Sequence, residues 1–281
     1  MRVVRTRAEL REARGALPGP VGFVPTMGAL HEGHASLVRR AREDSASTVA
    51  SIFVNPAQFG PNEDLSRYPR DEAGDLEMLE SLGVDLAFLP GVEDIYPLDH
   101  QMSVDVGSLG DVLEGAARPG HFRGVATVVS ILFNLVAPDR AFFGQKDGQQ
   151  SVVVRRLVRD LGLPVEVVVC PTVREADGLA MSSRNRYLTA GERAQAPTLN
   201  RALQAAASAL AAGDQSAESL RELMRRELSG ASLGTVDYVS LADAETLQEL
   251  EVVDRPALAS LAVLFPSARL IDCQPLPPGR G

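Results

Sequence analysis

The sequence predicts an α/β fold, a parallel sheet covered by helices on both faces, followed by a smaller C-terminal α+β domain. Three observations lead there. Short runs rich in Val, Ile and Phe alternate with helically spaced segments through the first two-thirds of the chain. Those runs are apolar at successive positions, as strands buried on both faces require. After about Arg174 the alternation gives way to Ala-rich and charged helical segments, then to two strand runs. The predicted domains are 1–174 and 175–281.

Taken in order, residues 21–24 read as a buried strand and 35–45 as a helix ending in Arg and acidic residues. Residues 48–54 are the next strand. Leu76, Leu79 and Leu82 give residues 72–82 a helical spacing, closed by Gly83. Residues 85–89 form a strand ending at Pro90. The pattern repeats with 122–136 as helix, 140–143 as strand, 149–161 as helix and 165–169 as strand. In the second domain, 190–212 is predicted as one Ala-rich helix and Ala217–Leu228 as an amphipathic one. Residues 236–241 and 258–271 are predicted strands, the second interrupted by Pro266. The Pro-rich tail from about 274 to 281 is expected to be disordered.

At 281 residues the chain is long enough for two domains and a substantial core. A net charge of −9 argues against a nucleic-acid partner, since a phosphate backbone demands a basic face. Residues 125–136, the longest apolar stretch, are too few to span a bilayer and are interrupted by Thr127, Ser130 and Asn134. The N-terminus has no signal-like apolar stretch, so a cytoplasmic location and no membrane partner are expected. Cys170 and Cys273 lie far apart in the chain and read as buried structural thiols.

Three segments carry the chemistry. The first, Pro25 to His34, places His31 and His34 three residues apart at the start of a helix, with Gly28 and Gly33 allowing close backbone approach. A helix N-terminus suits an anion, so phosphate recognition is the favoured reading. A metal site needs further ligands, and His100 and His121 lie in no ligand-like cluster. The second is the run Gly144 to Gln150, which follows a strand and holds Lys146, the single lysine among 28 Lys and Arg residues. Lys is a compact point charge where Arg is a planar fork, so this position suggests a narrow site for a phosphate oxygen, with an ordinary surface residue as the alternative. Asp147 suits either a helix cap or a ribose hydroxyl. The third is the run 178–186, in which Ser182, Ser183 and Arg184 supply short donors and one fork for a polyphosphate; a plain polar loop is the alternative.

All three are predicted at the carboxyl edge of one sheet, in the order His-x-x-His, Lys, Met-Ser-Ser-Arg. That order resembles the HIGH/KMSKS nucleotidyltransferases, a Rossmann-like superfamily that includes the core of class I tRNA synthetases. A synthetase acting on tRNA is disfavoured by the acidic charge and the lack of room for an anticodon domain. Residues 24–34, 52–59, 63–70, 143–147 and 171–187 together resemble the pantothenate synthetase (pantoate–β-alanine ligase) family, with a weaker match at 236–238 and 268–272. Gln145 stands where the family usually has Glu, Gly148 where it commonly has a larger side chain, and Pro266 in a strand that is usually smooth.

The resemblance implies ATP-dependent condensation of (R)-pantoate with β-alanine through pantoyl adenylate, releasing AMP and pyrophosphate. It implies His34 as proton donor with His31 beside it, and Lys146 and Arg184 as further catalytic groups. The ATP site would comprise Met27, Gly28, Ala29, Leu30, His31, Glu32, Gly33, His34, Gly144, Gln145, Lys146, Asp147, Val173, Met181, Ser182, Ser183 and Arg184. Backbone groups of Val173 and Met181 would face adenine, with Gly144 and Asp147 at the ribose. Gln58 and Gln150 would form the pantoate pocket. Mg2+ is expected with the ATP, with Asp75 as a candidate ligand, and the second domain is expected to close over the nucleotide. A homodimer is also implied. The rivals are a nucleotidyltransferase that stops at a nucleotide-linked product, a non-catalytic nucleotide sensor, and a metal hydrolase using His31 and His34.

Overall fold

The computed structural model describes residues 1–61 and 63–279. The chain folds as two compact units, Met1–Gly144 with Val153–Cys170, and Gln145–Val152 with Pro171–Gly281. Along the chain the second unit resumes at Pro171. The second unit also takes in the eight residues that follow β5, which sequence alone assigned to the first domain.

The first unit contains β1 (Arg2–Val4), α1 (Arg7–Gly15), β2 (Val21–Thr26), α2 (Glu32–Asp44), β3 (Ser47–Ile52), α3 (Glu72–Ser81), β4 (Leu86–Phe88), α4 (Val92–Ile95), α5 (Glu114–Ala117), α6 (His121–Val136) and β5 (Arg140–Gly144). Helix α7 (Gly148–Asp160) and β6 (Glu166–Cys170) follow. The six strands form one sheet in the order β1-β4-β3-β2-β5-β6, every pairing parallel. Phe23, Ala141 and Phe143 enter one core with α1 and α6, while Val24 and Phe142 enter the other with α2 and α3. Burial on both faces is why these strands read as uninterrupted apolar runs. Strand order reverses between β2 and β5, so the sheet's topological switch point lies at their carboxyl ends, the place where open α/β sheets bind ligands. The loops leaving these two strands begin at Met27 and at Gln145.

β1 and α1 were absent from the expected elements. Their signal is local: Thr6 caps α1, accepting from the Glu9 N–H at 3.2 Å, while the Glu9 carboxylate accepts from the Thr6 N–H at 3.0 Å.

The second unit holds α8 (Ala190–Gln195), α9 (Thr198–Ala211), α10 (Ala217–Leu228) and the antiparallel sheet β7 (Thr235–Asp243), β8 (Ala257–Leu264) and β9 (Arg269–Leu276), in that order. Its core combines Ala202, Leu203, Ala206 and Leu210 of α9 with Leu220, Met224 and Leu228 of α10. Three expectations are corrected here. The helix expected over 190–212 is two helices, because Pro197 lacks the N–H that would continue the first. The strand expected over 258–271 is the hairpin β8–β9, with Pro266 in its turn and the Phe265 N–H donating to the Ala268 carbonyl at 3.0 Å. Residues 274–276 belong to β9, where Leu276 joins the core and Pro275 is tolerated because β9 is an edge strand. Of the expected tail, Arg280 and Gly281 lie outside the described residues.

Candidate active site

In the first unit, β2 ends at Thr26 and the chain turns through Met27, Gly28, Ala29 and Leu30 before α2 begins. Gly28 has φ +82 and Ala29 φ +51, a left-handed pair of which only the glycine is at ease. Buried Asp75 of α3 holds this turn, its Oδ2 accepting from the Ala29 N–H at 2.9 Å and its Oδ1 from the Leu30 N–H at 2.7 Å. A Cβ at position 28 would lie 2.9 Å from that same Oδ2. The strain at Ala29 is thereby offset by two charge-assisted hydrogen bonds.

The turn delivers His31 to the N-cap of α2. Its Nδ1 accepts from the Gly33 N–H at 3.1 Å, and His34 Nδ1 accepts from the His31 N–H at 3.3 Å. A backbone N–H can only donate, so both Nδ1 atoms carry lone pairs and each neutral ring bears its proton on Nε2. The ring centroids are 4.2 Å apart. Glu32 faces away to an exposed ion pair with Arg39, and Gly33 contributes its N–H to His31.

Gln58 ends a short 3-10 turn, Pro56–Gln58, capped by Asn55. Asn55 Oδ1 accepts from the Ala57 N–H at 3.2 Å and from the Tyr96 hydroxyl at 2.8 Å. Its Nδ2 donates to the Gly124 carbonyl at 3.2 Å and to Gln58 Oε1 at 3.0 Å. One obligate donor and one obligate acceptor fix the Asn55 amide, and Asn55 in turn orients the Gln58 amide by donating to its oxygen. Burial pushes the Tyr96 phenol up to about 12, keeping it an O–H donor.

The carbonyl of Gln58 is also held. His121 Nδ1 lies 2.8 Å from it and Arg118 Nη2 3.3 Å, while Arg118 Nη1 lies 3.2 Å from His121 Nε2. The carbonyl accepts and the guanidinium donates, so His121 is neutral with its proton on Nδ1. Burial first, and then the Arg118 charge, push the His121 pKa down to about 4. Glu63 pairs with Arg118 at 2.5 Å; burial opposes its ionisation, but the guanidinium outweighs that and holds the carboxyl below its usual range. Asn55, Tyr96, Arg118 and His121 were not assigned from sequence. Asn before Pro is a capping signal that could have singled out Asn55. Nothing local marks His121.

In the second unit, Lys146 lies two residues beyond the end of β5, whose last residue is Gly144. Its Nζ is 3.5 Å from Asp147 Oδ1. Gln150 sits half-buried in the first turn of α7. Val173 and Met181 meet directly, the Met181 N–H donating to the Val173 carbonyl at 3.0 Å beside the antiparallel bridge Arg174–Ala180. Ser182 caps the 3-10 turn Ser183–Tyr187, accepting from the Arg184 N–H at 3.3 Å. Asn185 ties this turn down by donating to the Ala180 carbonyl at 3.0 Å and to Glu175 at 3.1 Å.

Among the described residues, no group of three or more His, Cys, Asp or Glu side chains is arranged to hold a metal ion. Among the described residues His31 and His34 are joined by no third such ligand, and both Asp75 oxygens accept backbone N–H groups. Nor is any helix among the described residues long and apolar enough to cross a membrane.

The sequence matches the pantoate-beta-alanine ligase family over residues 2–275. It is 58% identical over 272 residues to the pantothenate synthetase of Roseiflexus sp. (strain RS-1), covering 97% of this chain and 98% of the relative. The crystal structure of pantothenate synthetase from Thermus thermophilus is similar with a TM-score of 0.93 at 52% identity, covering 98% of this chain and 99% of that one. The pantoate-beta-alanine ligase from Francisella tularensis, complexed with beta-gamma ATP and β-alanine, is similar with a TM-score of 0.80 at 32% identity, covering 100% and 99% of the two chains.

Proposed function

From the premise that this chain belongs to the pantoate-beta-alanine ligase family, we propose how its residues divide the work of the reaction. The enzyme condenses pantoate with β-alanine using ATP. In the first step a pantoate carboxylate oxygen bonds to the α-phosphorus, and the bond from that phosphorus to the α,β-bridging oxygen breaks, giving pantoyl adenylate and pyrophosphate. In the second, the β-alanine amine bonds to the acyl carbon, loses a proton and expels AMP.

The observation that carries the assignment is the fixed tautomer of the two histidines. With each Nδ1 accepting a backbone N–H, His31 and His34 offer Nε2–H donors to phosphoryl oxygens, where charge builds in the first step. His34 serves as the proton donor. Lys146 neutralises α- and γ-phosphoryl oxygens, and Ser182, Ser183 and Arg184 hold the departing pyrophosphate. Met27 to Gly33 and Gln145 line the nucleotide, with Gly144 and Asp147 at the ribose. Since the Met181 N–H is already bonded to the Val173 carbonyl, adenine is expected at the Val173 N–H and the Met181 carbonyl. Gln58, its amide oxygen held by Asn55, donates through its NH2 group to a pantoate oxygen, and Gln150 provides the second amide. These neutral amides orient the carboxylate without the tight pairing an Arg would impose, which separates this reading from a nucleotidyltransferase that stops at a nucleotide-linked product.

Mg2+ enters as the magnesium complex of ATP. Phosphate and water would supply most of its ligands, with Asp75, which holds the Ala29–Leu30 turn, as the candidate protein ligand. A homodimer fits the exposure of Leu98 and Met102, which are 94% and 78% exposed within one segment. The two buried free thiols fit a reducing cytoplasm. Domains of 1–174 and 175–281, the second closing over the nucleotide, remain part of this proposal.

The test is AMP release with ATP, pantoate and β-alanine, each omitted in turn. AMP formed without β-alanine would overturn the amide-forming reading. Lys146→Ala should lower pyrophosphate exchange by at least ~10²-fold, about 3 kcal/mol of transition-state stabilisation. Because Lys146 is the single lysine, an amine-directed label should map to it and to Met1 alone, and ATP should protect Lys146.

A further inference from the structure

Two of the three segments that carry the chemistry end on adjacent residues of β9. Asp272, 2% exposed, accepts from Arg174 at 2.6 Å and 3.0 Å, and the same guanidinium donates to the Gly178 carbonyl at 3.1 Å. Gly178 is the turn of the hairpin that leads into Met181, Ser182, Ser183 and Arg184. Cys273, 4% exposed, donates its S–H to the Gln145 carbonyl at 2.9 Å and lies 3.6 Å from the Lys146 carbonyl. Successive residues of a strand point to opposite faces, so each loop is gripped from its own face of β9. The Asp272 carboxylate links the two grips, since its Oδ1 also accepts the Cys273 N–H at 2.9 Å.

We infer that Asp272 and Cys273 are positioning residues, which fix the Lys146 loop and the Ser182–Arg184 loop at one spacing within the second unit. The inference rests on the proposed phosphate roles of Lys146 and Ser182–Arg184. Cys273 is suited to the task as a thiol. Burial pushes it up to about 12, so it carries its proton throughout the working range and acts as a donor. The backbone carbonyl it holds is the one immediately before Lys146, so loss of that bond frees the peptide that aims the ammonium.

Gly148 belongs to the same arrangement. A Cβ there would lie 2.7 Å from Cys273 Sγ and 3.0 Å from Leu258 Cδ2. The glycine at the start of α7 is therefore the space that Cys273 occupies.

The experiment is a double-mutant cycle on pyrophosphate exchange, with the full chain and MgATP. Asp272→Ala would strand the Arg174 charge and risks unfolding, so the cycle uses Cys273→Ala, Cys273→Ser and Lys146→Ala, with thermal midpoints as a folding control. Cys273→Ala should lower kcat/KM for ATP by about 5-fold, the worth of one neutral hydrogen bond, and leave the use of preformed pantoyl adenylate unchanged. Cys273→Ser keeps a donor and should restore most of that loss. In the Lys146→Ala background, Cys273→Ala should add nothing. A loss equal in both backgrounds, or no loss from Cys273→Ala, would overturn the positioning role. Undiminished exchange by Lys146→Ala alone would instead overturn the function assigned to Lys146.

Discussion

His121 offers a stability switch whose size follows from its surroundings. Its Nδ1–H is spent on the Gln58 carbonyl and its Nε2 faces the Arg118 guanidinium, with Glu63 and Glu114 the nearest opposing charges. The folded protein therefore takes up this proton only near pH 4, against an ordinary value of 6.5. As pH falls through 6.5 the unfolded chain protonates first, so stability is fully present above 6.5 and is lost as pH falls toward 4. Over that window the loss from this one group is ~3 kcal/mol. His121→Asn keeps an N–H donor for the Gln58 carbonyl and removes the titration. Urea denaturation of both proteins at pH 7.5 and pH 4 is the assay. Acid should cost the native protein ~3 kcal/mol more than the variant. Glu192, held at about 2 by the Thr189 N–H, behaves alike in both and cancels. Parallel losses would refute the reasoning. A functional sign accompanies it: protonation sets two cations 3.2 Å apart beneath Gln58, so the pantoate KM should rise on acidification before that of ATP.

Other predictions concern the two loops. Asp75→Asn keeps one acceptor but turns an NH2 group toward a backbone N–H, and should cost ~2–4 kcal/mol of stability with at least ~10-fold slower adenylation. Unchanged denaturation would show that Asp75 does not hold the Ala29–Leu30 turn. Gly148→Ala should destabilise by ~1–3 kcal/mol, against the ~1 kcal/mol gain expected from helix propensity alone. Combined with Cys273→Ala, the same substitution should cost less by the same measurement, with Leu258 Cδ2 the remaining close contact at 3.0 Å. If Gly148→Ala is stabilising by itself, the contact with Cys273 is not limiting.

The strands and helices around the site were legible because each is a short-range pattern. Val21–Thr26 reads as a buried strand from its own residues, and Leu76 and Leu79 set α3 by spacing. The Thr6–Glu9 capping box marks α1 by the same kind of local signal, though α1 was not among the expected elements. Where a proline carried two meanings, local rules were insufficient. Pro197 and Pro266 each end one element and permit another of the same type to start at once, and only the packing partners distinguish that from an interruption.

The sequence by itself determined the parallel α/β architecture, the smaller second unit and the order of the three candidate segments. Each of these depends on residues a few positions apart, where periodicity, turn chemistry and capping act. The tertiary structure alone decided what holds those segments in place. It placed Asp75 under the Ala29–Leu30 turn, 46 and 45 residues away, and His121 on Gln58 at 63. It placed Asp272 on Arg174 at 98 and Cys273 on Gln145 at 128. A buried donor or acceptor takes whichever partner the sheet and helix packing bring within 3 Å, and no local pattern encodes that choice. Composition singled out Lys146; a thiol on the last strand holds the peptide that precedes it.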